Sequence, residues 1–378
     1  MDKILLAVNT LGMWKETNGV ATTYRHILPL FKKRGIEVDV LTYGPEDYFC
    51  ETKSIRTYTH KPRLPLKIDP SLWVDMAFSK SELSKEIAKH KYSLVHSATP
   101  CPMGSFAGKV AKKQEIPFVN TYHTTIDSYV ESRVAKALGT TMGCLAKKII
   151  GKQLKKFYDN SDLILAPSQT IREELQKIFS APVDVFGRGI DTAKFNNAYR
   201  NRDDIRPRAI YVGRVAPEKN LDTLVEIFAG DELNDTELTI VGDGPSLNEM
   251  KRVLPSARYT GKKTGTELAE EYANADFFVF PSCTDTFGNV ILEAYASGLP
   301  VIVTDKRAPK ELVNDGKTGL ICSNKAEFSN AVKLLSRNDY LRQTMSMAAI
   351  EHSQGYTWDK AFETLLQKYH DAKTLRRI

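Results

Sequence analysis

The run FFVF (277–280) followed by PSCTDTFGNVILEAYASGLPVIVTD (281–305) is the stretch from which the architecture follows. Four apolar residues in a row, stopped by Pro281 and Ser282, read as a strand covered on both faces. NVILEAYASG has helical spacing from about Gly288 or Asn289, and PVIVTD (300–305) returns as another buried strand. A strand, a helix and a strand in succession call for a parallel sheet with a crossover helix. Only two acids precede Asp305: Asp285 in the connecting loop and Glu293, about one turn into the helix.

The same rhythm extends in both directions. After the midpoint, AIYVGR (209–214), ELTIVGDG (237–244), ARYTG (257–261) and TGLICS (318–323) read as further strands. Before it, KILLAVN (3–9), VDVLTY (38–43), SLVHSA (93–98), PFVNTYH (117–123) and LILAPS (163–168) form a comparable set, with helical patterns at 19–35 and 81–91. GRGIDTAKFNNAYRNRDDIRPR (187–208) is polar and lacks a strand pattern, so it reads as the crossing between two domains. The expected division is 1–186, a linker over 187–208, 209–355, and a closing helical segment over 356–378. Open parallel sheets bind ligands beyond the carboxyl ends of their strands, which places a ligand cleft between two such domains.

At 378 residues, 42% hydrophobic and 26% charged, the chain has the balance of a folded globular protein. Its five cysteines lie far apart with no paired spacing, which argues against a zinc knuckle or a disulfide framework. The opening MDKILLAVNTLG reads as a first buried strand rather than a signal peptide, and no apolar stretch is long enough to span a bilayer. Charge is uneven: residues 1–180 carry 27 Lys/Arg against 18 Asp/Glu, and 181–378 carry 26 against 28. That asymmetry points to something anionic near the first half, or to nothing more than surface lysines.

Several loops carry candidate chemistry. Asp285 and Glu293 can accept hydrogen bonds from hydroxyls. Gly288 lets a ligand approach the backbone, and the first-turn N–H groups that follow can hold an oxyanion. The plain alternative is a helix cap and a solvated acid. In YVGRVAPEKN (211–220), Gly213 ends a strand, and Arg214 and Lys219 could grip a diphosphate from two sides, with Pro217 and Glu218 opening a helix. Each alone could be a surface ion pair. VGDGP (241–245) places Gly242 and Asp243 in a tight turn able to press on a base or ribose, although it matches neither the dinucleotide fingerprint nor a P-loop. In the first half, Asn18 and Gly19 follow the first strand, and His123 ends another, where it is either a sugar contact or a structural imidazole.

Residues 132–156 differ in kind, with seven basic residues and no acid. Leu145, Ile149, Ile150 and Leu154 interleave with Lys147, Lys148, Lys152, Lys155 and Lys156. A basic amphipathic helix of this composition can lie on an anionic membrane surface, or its apolar face can be core.

Taken in chain order, these marks resemble glycosyltransferase family 4 over essentially the whole length. The resemblance implies the α/β GT-B architecture, two facing Rossmann-like parallel-sheet domains with an interdomain cleft. It implies a metal-independent retaining hexosyltransferase without a cofactor, using a nucleotide diphosphate sugar such as UDP-glucose or GDP-mannose. Asn18-Gly19 matches the family's glycine-containing loop, and His123 the histidine near the reacting carbon. Arg214 and Lys219 match the diphosphate grip, and Asp243 the Gly-rich turn. Asp285 and Glu293 match the two-acid signature, whose members are separated by seven residues. The family's first acid is usually glutamate, so Asp285 is one methylene short. Phe287, Gly288 and Asn289 would offer backbone groups to sugar and diphosphate. The wording GRGID, TYHT and DTFGN resembles the subgroup acting on membrane lipids or envelope glycans, which implies a cytoplasmic protein, peripheral on the inner face of the membrane. Trp358, in YTWDKAFETLLQKY (356–369), would be a packing anchor.

Three rival readings compete with it: a non-catalytic nucleotide-sugar or glycan-binding protein of this fold, a soluble-acceptor or otherwise different enzyme of the same architecture, and an adaptor for membranes or nucleic acid. Nucleic acid is not the expected partner, because the basic excess comes with nucleotide-sugar marks.

Overall fold

The computed structural model describes residues 3–11, 19–52, 54–69, 72–123 and 140–376. Asn18 and the 132–139 part of the basic segment lie outside the described residues. Two compact units result, one of Met1–Gly187 with Phe362–Ile378 and the other of Arg188–Ala361.

The first unit is built on β1 (Lys3–Ala7), β2 (Glu37–Tyr43), β3 (Tyr48–Thr52), β4 (Ile55–His60), β7 (Leu94–Ser97), β8 (Phe118–Thr121), β9 (Leu163–Ala166) and β10 (Val183–Val185). Their order across the sheet is β10-β9-β8-β7-β1-β2-β4-β3, and every pairing is parallel except β3 with β4. A separate antiparallel hairpin joins β5 (Pro65–Asp69) and β6 (Leu72–Asp75). Central strands are buried along their length because helices cover both faces: Leu5, Leu6, Ile164 and Leu165 are fully enclosed. β8 is buried as well, and like His96 and Ser97 of β7 its Asn120 and Thr121 are polar.

The closing helix, Trp358–Arg376, ends in this unit. Phe362 meets the Phe31 ring edge-on at 4.9 Å, Tyr369 stacks on the same ring at 6.3 Å, and Lys368 pairs with Asp184 at 2.6 Å.

The second unit contains β11 (Arg208–Val212), β12 (Glu237–Val241), β13 (Arg258–Gly261), β14 (Phe277–Phe280), β15 (Val301–Thr304) and β16 (Gly319–Cys322). The order is β13-β12-β11-β14-β15-β16, all parallel. All four residues of β14 are buried, and the helix after it, Asn289–Ala296, sets Ile291, Leu292 and Tyr295 into the same core. Residues 188–207 add no strand to either sheet, while Arg208 already begins β11; Arg200 and Arg202 pin the segment to Asp276 at 2.7 and 3.0 Å. Trp358 packs its backbone and ring directly over Gly189, beside a backbone hydrogen bond from Ile190 to Tyr356 of 2.7 Å.

Candidate active site

The sheet of the second unit changes direction between β11 and β14. From β11 the chain proceeds outward through β12 and β13, and from β14 it proceeds the other way. Loops leaving the carboxyl ends of two such strands diverge and open a crevice, the place where doubly wound folds bind ligands. The two candidate loops leave these two strands.

Lys219 comes from the loop after β11 and Asp285 from the loop after β14. The Lys219 ammonium donates to Asp285 Oδ1 and Oδ2, 2.8 Å each, and the Ser282 hydroxyl donates to the same carboxylate. Side-chain exposures of 17% and 24% leave the pair reachable by a solute while shielding it from bulk water. Two further bonds stitch the loops together, Thr284 Oγ1 to the Glu218 carbonyl at 3.1 Å and Asn220 Nδ2 to the Pro281 carbonyl at 3.3 Å. Arg214 stands about half exposed, its Nη1 3.9 Å from the Glu218 carboxylate.

The local backbone here corrects the expectation that Pro217 and Glu218 open a helix. They form a single 3-10 turn, Pro217–Lys219, which Asn220 ends in the left-handed region at φ 55°. The α-helix begins afterwards, as Asp222–Phe228. Asparagine tolerates that conformation better than other non-glycine residues. The break turns Lys219 across to Asp285 instead of along a helix.

Beyond Asp285 the chain reaches Phe287, a buried residue that belongs to the core. Gly288 caps the next helix at φ 111°, a conformation costly for any residue with a Cβ. Asn289 opens the helix, and its Oδ1 is buried with no hydrogen-bond partner among the described residues. An unmet acceptor beside first-turn N–H groups suits a ligand carrying hydroxyls and an anion.

Glu293 lies one turn further. Tyr272 Oη donates to its Oε2 at 2.9 Å, and burial pushes the carboxyl up to about 7 against the help of that bond and of Lys194. Half-buried and bonded by Tyr272, Glu293 differs from the solvated acid of the plain alternative.

Gly242 and Asp243 have an internal explanation. A Cβ on Gly242 would lie 1.8 Å from the Gly213 carbonyl oxygen, at φ 151°, so the glycine lets the loops after β11 and β12 touch backbone to backbone. Gly213 N donates to Val241 O at 3.0 Å and Val215 N to Asp243 O at 2.9 Å. Asp243 Oδ1 accepts from Gly244 N at 2.7 Å. This turn shapes the Arg214 loop.

In the first unit, Gly19 starts the helix Gly19–Lys33 and its carbonyl accepts from Thr23 Oγ1 at 2.8 Å. His123 lies two residues past β8, its ring edge-on to Tyr24 at 6.1 Å. Of the basic segment, the helix Thr140–Asp159 turns Leu154 and Phe157 toward a core that contains Tyr158 and leaves Leu145 and Ile149 about half exposed. Lys148, Lys152, Lys155 and Lys156 are exposed, while Lys147 is half-buried. Lys155 is engaged with Asp159 at 2.8 Å and the Ile178 carbonyl at 2.7 Å. Among the described residues no three His, Cys, Asp or Glu side chains are grouped to hold a metal ion, and no helix is long and apolar enough to cross a membrane.

Residues 17–194 match the family described as Glycosyltransferase Family 4, and residues 206–338 match Glycosyl transferases group 1. The chain belongs to glycosyltransferase family 4. It is 28% identical over 387 aligned residues to a GDP-mannose-dependent alpha-mannosyltransferase of Mycobacterium tuberculosis, covering 100% of this chain and 99% of the relative. It is 27% identical to an alpha-monoglucosyldiacylglycerol synthase of Streptococcus pneumoniae, covering 91% and 82%. A solved sucrose-phosphate synthase from Thermosynechococcus elongatus superposes with a TM-score of 0.78 at 19% identity, covering 98% of this chain and 99% of that one, which establishes the GT-B fold.

Two residues of this family 4 glycosyltransferase escaped sequence reasoning. Tyr272 sits 21 residues from Glu293, on a different helix, and no local pattern links them. Arg307 follows β15 at φ 53° and ψ −151°, a region nearly reserved for glycine, and its Nη1 donates to the Thr284 carbonyl at 3.4 Å. Its signal was present as the second of two cations, Lys306 and Arg307, just beyond the PVIVTD strand.

Proposed function

We propose that this glycosyltransferase moves a hexose from a nucleotide diphosphate sugar, of the UDP-glucose or GDP-mannose type, to a membrane lipid or envelope-glycan acceptor, with retention at the anomeric carbon and without a catalytic metal. The observation that carries the reading is the Lys219–Asp285 pair at the point where the strand order reverses. A cation and a carboxylate held together there match a donor with a diphosphate at one end and hydroxyls at the other. Arg214 and Lys219 take the diphosphate, joined by first-turn N–H groups after Gly288. Asp285, released from Lys219, accepts from sugar hydroxyls, and Glu293 accepts from the ribose.

As the glycosidic bond breaks, negative charge grows on the leaving diphosphate, so two fixed cations stabilise the transition state more than the bound donor. Attack comes from the face the diphosphate is leaving, and a departing phosphate oxygen takes the acceptor hydroxyl's proton. That route needs no carboxylate base, which fits an Asp285 that accepts from sugar hydroxyls. His123 hydrogen-bonds the transferring sugar. The GDP-mannose dependence named for one relative supports the donor type, and the diacylglycerol in the name of the other supports the lipid acceptor. Exposed Leu145, Ile149, Lys148, Lys152 and Lys156 support docking on an anionic bilayer.

The test is a panel of UDP-, GDP- and ADP-hexoses with lipid and oligosaccharide acceptors, scored by nucleoside diphosphate release and by the anomeric configuration of the product. Acceptor-dependent release with a retained configuration is expected. Donor binding without turnover on any acceptor would favour a binding protein.

A further inference from the structure

Inside the first unit, a histidine with no part in the proposed chemistry is wholly enclosed by hydroxyls. His96 lies on β7 with no exposed surface. Its Nδ1 is 2.7 Å from Tyr369 Oη on the closing helix, and its Nε2 is 2.7 Å from Thr121 Oγ1 at the end of β8 and 3.3 Å from Tyr24 Oη. Tyr24 Oη and Thr121 Oγ1 are themselves 3.4 Å apart. The Tyr24 ring stands edge-on both to His96, at 5.7 Å, and to His123, at 6.1 Å.

Burial holds the His96 imidazole neutral by lowering its pKa to about 3. A neutral ring donates through one nitrogen and accepts through the other. The hydroxyl of Tyr369 and that of Thr121 are therefore locked in complementary senses: if Tyr369 donates, Thr121 accepts, and the reverse. Removing either partner leaves a buried polar atom unmet, which is the costly case.

Thr121 is two residues before His123, and Tyr24 lies on the helix that Gly19 begins. We infer that the closing helix fixes the His123 ring through Tyr369, His96, Thr121 and Tyr24, making His96 and Tyr369 positioning residues for sugar transfer. The inference rests on the reading that His123 meets the transferring sugar. Tyr369 is then more than a packing residue, because it completes the hydroxyl set that orients the end of β8.

Tyr369→Phe keeps the ring that stacks on Phe31 and removes one hydroxyl, and Thr121→Val serves as a second variant of similar shape. Expected for either is a kcat lowered roughly 5- to 30-fold with donor KM within about twofold, as for loss of an interaction felt in the transition state. Thermal midpoints should fall by a few degrees, the mark of one unmet buried nitrogen, while nucleoside diphosphate affinity stays near wild type. In a His123→Gln background, with its residual turnover, the same change should cost less than about twofold, because residues acting through one group are not additive. A full loss repeated in that background would show a purely structural role and overturn the inference, as would a kcat within twofold of wild type in both single variants. Undiminished turnover in His123→Gln alone would remove the underlying reading, and this inference with it. A normal effect of His123→Gln with silent Tyr369→Phe and Thr121→Val would sink only the inference.

Discussion

The Tyr272 hydroxyl donates to Glu293 Oε2 at 2.9 Å, on a carboxyl that burial has pushed up to about 7. The second acid of the proposed donor site thus rests near the midpoint between its two protonation states at neutral pH. Ribose hydroxyls that donate to Glu293 would favour its ionised form, so donor binding should release a proton near pH 7.

That titration has a stability signature of definite sign. The folded carboxyl keeps its proton to about pH 7, whereas the unfolded chain loses it near 4.5. Between those values the folded state binds more protons, so this site's contribution to stability falls as pH rises from about 4.5 to 7 and levels off above. Glu293→Gln remains neutral throughout. Denaturant midpoints at pH 5 and pH 7.5 should show the variant gaining on wild type at the higher pH, by up to ~3 kcal/mol. Parallel behaviour of the two proteins would contradict the burial of this carboxyl.

Lys219→Ala should lower kcat/KM by ~2–4 kcal/mol in transition-state stabilisation, the scale of a preorganised charge contact, and leave the protein folded. Asp285→Asn behaves differently. It frees Lys219 from its carboxylate, so a nucleoside diphosphate without sugar should bind more tightly while sugar transfer falls. Calorimetric titration with UDP and GDP separates the two. Weaker diphosphate binding in Asp285→Asn would mean that Lys219 does not exchange one anion for another.

Two backbone positions predict opposite changes in stability. Gly242→Ala places a Cβ 1.8 Å from the Gly213 carbonyl and should destabilise strongly, by ~3 kcal/mol or more. Arg307→Gly relieves a non-glycine residue at φ 53° and ψ −151°, and should stabilise by ~1 kcal/mol. Thermal midpoints decide both, and a stabilised Arg307→Gly enzyme with reduced turnover would place Arg307 among the cations that matter.

Charge reversal at Lys148, Lys152 and Lys156, or Ile149→Asp alone, should release the protein from vesicles containing anionic lipid. Each lysine near the surface contributes ~1 kcal/mol. Co-sedimentation at fixed salt measures it. Retention of the reversed variant on vesicles would move the docking surface away from this helix.

Much of this was written into local sequence. FFVF, ELTIV and PVIVTD are legible because a parallel strand covered on both faces must be apolar throughout. β4, IRTYTH, and its partner β3 were not recognised, since strands at the sheet's edge leave residues such as Tyr48 and Phe49 in solvent and mix polar with apolar side chains. The site's residue types were readable, but their pairing was not. Lys219 meets Asp285 only because β11 and β14 are neighbours, a fact of strand order that spacing along the chain does not contain. The Asn220 break was hidden too, because a proline followed by glutamate and lysine is also how a helix begins. In the basic helix, periodicity marked the apolar positions without telling Leu154, which faces core, from Ile149, which does not.

The most direct test is a crystal structure of the protein with its preferred nucleoside diphosphate. The β-phosphate should lie within hydrogen-bonding distance of Arg214, Lys219 and the backbone N–H groups that follow Gly288, with Lys219 drawn away from Asp285. A nucleotide seated elsewhere while the Lys219–Asp285 pair stays closed would contradict the account.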